Sequence, residues 1–62
     1  MLKYRVDYEF KLLDPMVSDG RYHVTYLDNN GDGFSYEDAK NVSRQLKQSS
    51  IQRTAWTKIV EM

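Results

Sequence analysis

The sequence predicts an α+β fold of ββαβ order, an antiparallel sheet with one helix packed on one face. Three observations lead there: two N-terminal stretches alternate apolar and polar residues, a serine-capped amphipathic stretch follows a glycine-rich turn, and the C-terminus is rich in strand-favouring residues. The whole chain, 1–62, reads as a single domain, with strands over 2–13, 21–27 and 53–61 and a helix over 36–48.

From Leu2 to Leu12 the alternation is nearly unbroken. Leu2, Tyr4, Val6, Tyr8, Phe10 and Leu12 fall on one side, and Lys3, Arg5, Asp7, Glu9 and Lys11 on the other. Leu13 to Gly20 breaks the pattern with Pro15, which has no amide hydrogen for a ladder, and with the turn pair Asp19-Gly20. Alternation resumes from Arg21 to Leu27, so the two stretches are expected to pair antiparallel. The shared face would then hold Tyr4, Val6, Tyr8, Phe10, Tyr22, Val24 and Tyr26, with a helix burying it.

That helix should begin after Gly33. The Ser35 hydroxyl can accept from an amide of the first turn, and Asp38 stands where a capping box places its acid. Phe34 and Ala39 have the spacing of a hydrophobic staple, and Glu37 and Asp38 suit the positive end of the helix dipole. The expected buried stripe is Ala39, Val42, Ser43 and Leu46.

The segment from Ile51 to Met62 fits two patterns. On a helical wheel Ile51, Ala55, Trp56, Ile59, Val60 and Met62 gather on one side, with Ser49 and Gln52 as a capping pair, which would give ββαα. As a strand it uses residue types that favour extended backbone and supplies the third strand a hairpin needs for stability. The strand is preferred, although strict alternation points Ala55, Thr57 and Ile59 one way and Trp56, Val60 and Met62 the other, leaving neither face clean.

Composition narrows the function classes. Hydrophobic residues make up 40% of 62 residues and there is no cysteine, so the core is small and no disulfide supports it. A formal charge of zero argues against a strongly basic nucleic-acid clamp and against an acidic mimic of DNA. Without a membrane-length apolar run or a signal-like start, the expected location is the cytoplasm.

Asp28-x-Asn30-x-Asp32-Gly33 resembles the opening half of an EF-hand loop, with Asp28, Asn30 and Asp32 at the first ligand positions and Gly33 at the turn. The resemblance implies a calcium site, but Ala39 stands where the bidentate acid belongs, and the preceding stretch alternates like a strand instead of forming the incoming helix. A turn that delivers the chain to the helix cap accounts for the same residues, so no cofactor is expected and calcium remains the alternative.

His23 is expected on the outer face of the second strand, within reach of Asp7 and Glu9. No local pattern supplies the converging partners that catalysis or a metal requires, so no enzymatic activity is expected. The favoured function is a non-enzymatic protein-interaction or regulatory module, a homodimer or a binder of another protein. It would act through a sheet face or edge and the C-terminal segment, with Trp56, Val60 and Leu27 as its contact residues. The alternative is weak nucleic-acid binding by a basic strip of Lys3, Arg5, Lys11, Arg21 and His23, which the expected face assignment separates from the tyrosines.

Overall fold

In the computed structural model, which describes residues 2–62, the long alternating stretch becomes β1 (Tyr4–Leu12) and lies in the middle of the sheet. β2 (His23–Leu27) pairs antiparallel along one side of it and β3 (Gln52–Glu61) along the other, with the helix α1 (Tyr36–Lys47) between β2 and β3 in sequence. The ββαβ order is as expected, and the terminal segment is a strand, not the second helix of the alternative. β2 and β3 both oppose β1, so they run parallel to each other, and α1 carries the chain across β1 from one to the other.

That crossing decides what the helix covers. α1 packs on β3 and β1 and makes no packing contact with β2 among the described residues. The expected position over the β1–β2 hairpin is therefore corrected: the return to a far-side third strand draws the helix over β1 and β3. Val6, set between Leu27 and Ile59, and Ala39 of α1 are fully buried. Val42, Ser43 and Leu46 complete the expected stripe as half-buried residues. All five residues of β2 are exposed.

Pairing register overturns the expected shared face. Val6 stands opposite Leu27, Tyr8 opposite Thr25 and Phe10 opposite His23, while Asp7 faces Tyr26 and Glu9 faces Val24. Because side chains alternate with period two, this register sends His23, Thr25 and Leu27 to the helix side and Val24 and Tyr26 to the open side. Tyr22, just before the strand, follows Val24 and Tyr26. With no helix over β2, burial has little hold on its phase. The tyrosines instead stay wet and lie under cations: Arg5 is 5.4 Å from the Tyr26 ring centroid and Lys11 is 5.2 Å from that of Tyr22.

β3 solves its own phase problem with a bulge. Trp56 opposes Glu9 but Thr54 opposes Phe10, so Ala55 is the extra residue. The helix side of β3 thereby gains Gln52 and Thr54 in addition to Thr57 and Ile59, all less exposed than their neighbours Arg53, Ala55 and Lys58. Both threonines bond to α1. Thr54 Oγ1 donates to the Leu46 carbonyl at 2.7 Å, occupying one of the free acceptors at the helix end, and the Thr57 and Ser43 hydroxyls bond each other.

The stretch from Asp28 to Gly33 is an excursion from the sheet edge. The chain leaves after Leu27 and returns at Phe34, which exchanges two backbone hydrogen bonds with Tyr4 at 2.8 and 2.9 Å. Asn29, Asn30, Gly31 and Gly33 all have positive φ, and the Gly33 amide donates back to the Asp28 carbonyl at 2.7 Å. Helix initiation follows at once, with the Asp38 amide donating to Ser35 Oγ at 3.1 Å, the first half of the expected capping box.

Two substitutions test these joints. Gly33 has φ +76°, and a Cβ there would lie 2.8 Å from Lys3 Cβ and 2.9 Å from Met62 Sδ. Gly33→Ala should therefore cost about 2 kcal/mol or more, read as a lower urea midpoint. Thr54→Val leaves the Leu46 carbonyl without its hydroxyl donor and should cost about 1 kcal/mol at unchanged m value.

Candidate functional site

The open face of the sheet is where the chemistry of this chain collects. β1 contributes Arg5, Asp7, Glu9 and Lys11, β2 and the residue before it contribute Val24, Tyr26 and Tyr22, and β3 contributes Arg53, Trp56, Lys58 and Val60. The positions follow from register: Val60 lies opposite Arg5, Lys58 opposite Asp7, Trp56 opposite Glu9 and Arg53 opposite Lys11. Arg5 Nε donates to Asp7 Oδ1 at 2.9 Å, so one of the face's two acids is already paired.

The aromatic groups here are partly open to solvent, with Tyr26 54% and Trp56 41% exposed. Of the contact residues expected from sequence, Trp56 and Val60 belong to this face. Leu27 does not: opposite Val6, it points to the helix side, where α1 stops short of it and leaves it exposed. The basic strip is similarly divided. Arg5 and Lys11 are on the face, Lys3 runs its stem over Gly33 at the end of β1, and Arg21 is in the loop leading to β2. His23 falls on the opposite side, against Phe10, with ring centroids 6.1 Å apart.

Two features of the face were missed at the level of sequence. Alternation puts Tyr22 and Tyr26 on the buried side, and the strip read from sequence lacks Arg53 and Lys58. Both follow from pairing register, but Lys58 is also separated from Trp56 by one residue, a spacing that places them on one face of any regular strand.

His23 anchors the loop between β1 and β2. Its Nε2 donates to both carboxylate oxygens of Asp19, at 3.0 and 3.1 Å, while Asp19 Oδ1 also accepts from the Arg21 amide at 2.9 Å. Asp7 and Glu9, which alternation alone brings toward His23, are on the other side of the sheet. The loop is further folded by Asp14, whose carboxylate accepts from the Met16 amide, and by Ser18, whose hydroxyl accepts from the Gly20 amide.

In the resemblance to an EF-hand, Asp28 is half-buried and Asn30 and Asp32 are exposed at the excursion. The loop closes on its own backbone, with Asn29 Nδ2 donating to the Gly33 carbonyl at 3.2 Å. Ala39, at the place of the closing acid, is buried beneath the sheet, and the incoming element is strand β2. Among the described residues no three His, Cys, Asp or Glu side chains gather as a metal-binding group.

No helix among the described residues is long and apolar enough to cross a membrane. Compared with protein-family models, curated proteins and solved structures, the chain matches none.

The loop anchor gives a pH signature. The Arg21 amide, and after it the His23 ring, holds the Asp19 carboxyl below the ordinary aspartate value. A lowered folded value means that its stabilising contribution is present above the unfolded value and disappears as pH falls through the folded one. An NMR titration of the Asp19 carboxyl carbon should show a midpoint below the ordinary value, and His23→Ala should restore only part of the difference.

Proposed function

We propose that this chain is a non-enzymatic interaction module that self-associates through the free edge of β2. The observation that carries the reading is that β2 is exposed on both faces and paired on one side only.

Both outer strands have a free edge, but they are built differently. β3 carries Arg53, Lys58 and Glu61 and is bent by its bulge, devices that discourage pairing with another strand. β2, with the sequence His23-Val24-Thr25-Tyr26-Leu27, has no bulge, proline, acid, lysine or arginine. Antiparallel pairing of two copies about Thr25 would set Val24 against Tyr26 twice, His23 against Leu27 twice and Thr25 against itself. β-Branched against aromatic and threonine against threonine are favourable cross-strand pairs, and no like charges meet.

The surface of the chain supports the same reading. At 7.4 kDa a compact monomer is expected to expose about 4,200 Å². This chain exposes 4690 Å², and Val24, Tyr26 and Leu27 of β2 are among its exposed large apolar residues. A five-residue edge is a small interface, so the expected Kd is about micromolar or weaker.

Light scattering coupled to size exclusion across a concentration series should show conversion to dimer. Thr25→Lys and Thr25→Glu, each placing like charges at the two-fold axis, should each give monomer, and mixing the two should restore a dimer. A monomeric wild type at high micromolar concentration, or dimerisation unaffected by either charge, overturns the proposal.

A further inference from the structure

We infer that the open face of the sheet is a binding platform for single-stranded nucleic acid, on which Tyr26 and Trp56 stack bases while Lys11, Arg53 and Lys58 meet phosphates. The face lies within one chain and does not depend on self-association.

The first support is the distribution of charge. The chain is neutral as a whole, but its charges are not mixed evenly. Four cations share this face with Asp7 and Glu9, and Asp7 is taken up by Arg5. The other acids are in the two loops, on α1 and at Glu61, which opposes Tyr4 on the helix side. A polyanion approaching the open face therefore meets net positive charge although the molecule has none.

The second support is the placement of the rings. Tyr26 is on one outer strand and Trp56 on the other, with β1 between, so about 10 Å of sheet width separates their strands. Both are exposed, and neither is covered by the helix. Aromatic groups standing on an open sheet among cations offer stacking to any base, because every base has a π-face, with phosphates left to the charged side chains. Arg5, paired with Asp7, lies over the Tyr26 ring, so a base stacks there on the guanidinium plane or displaces it from the ring, while Lys11, Arg53 and Lys58 remain for phosphates. The open face spans three strands side by side, which gives an extended strand room to cross it. An A-form or B-form duplex keeps its bases stacked inside and would offer these rings little.

Glu9 makes the assignment specific. It stands between Val24 and Trp56 at the centre of the platform, without an ion-pair partner among the described residues, where it would oppose a bound phosphate.

The test uses fluorescently labelled single strands of about twelve nucleotides, one of DNA and one of RNA, with a duplex of equal length as comparison. Anisotropy should report binding of a single strand with quenching of the lone tryptophan, a log–log salt slope of about −2 to −3, and weaker binding of duplex. A preference for either sugar supports the reading equally. Trp56→Ala and Tyr26→Ala should each weaken binding about 5- to 100-fold while circular dichroism remains that of the folded protein. Trp56→Phe keeps a ring and should retain most affinity if the alanine variant fails to fold. Glu9→Gln should tighten binding several-fold, and Lys47→Gln, in the last turn of α1 and away from the open face, should leave it unchanged. Absence of binding at low salt overturns the inference, as does binding without tryptophan quenching, tighter binding of duplex, or unchanged affinity in the folded Tyr26→Ala and Trp56→Ala proteins.

Discussion

One helix cannot cover three strands. With side chains a helix is about 10–12 Å across and neighbouring strands are about 4.8 Å apart, so α1 shields roughly two strands of this sheet. Chain order decides which two. Because β3 joins β1 on the side away from β2, the helix must cross β1 to reach it, and it settles over β1 and β3. Much of what distinguishes the molecule follows: two fully buried apolar residues among those described, an outer strand wet on both faces, and an open face whose aromatic groups were never needed for the core.

The same constraint explains how far the sequence could be read. Alternation in Tyr4–Leu12, the Ser35 cap and the stripe from Ala39 to Leu46 are local signals backed by burial, and they identify the central strand and the helix. The face of β2 is not legible in its alternation because the usual arbiter of register, burial of one side, is missing there. Its phase is held by the Asp19–His23 loop contact and by Tyr22 and Tyr26 under Lys11 and Arg5, which become visible only once the strands are paired. The candidate site inherits that ambiguity: His23 and Leu27 leave the expected surfaces, whereas the tyrosines join the cations.

β3 shows a different limit. Its residue types identify a strand, but the clean inner face exists only because Ala55 is skipped, and nothing in the residue itself announces a bulge. The reason emerges from the partner. Thr54 must meet the end of α1 and Thr57 must meet Ser43, and two residues three apart can share a face only if the strand slips by one. Hydrogen bonding to the helix thus sets a phase that hydrophobic pattern left undecided.

The bulge has a further consequence for how large an assembly built from this sheet can become. Two free edges of equal quality would allow copies to add at both sides, and a chain of such additions is an open fibre. Here one edge is bent and charged while the other is plain. Joining two plain edges about a two-fold axis consumes both of them and leaves bent, charged strands at the outside. Ala55 would then act as a terminator, limiting growth to a closed pair of sheets.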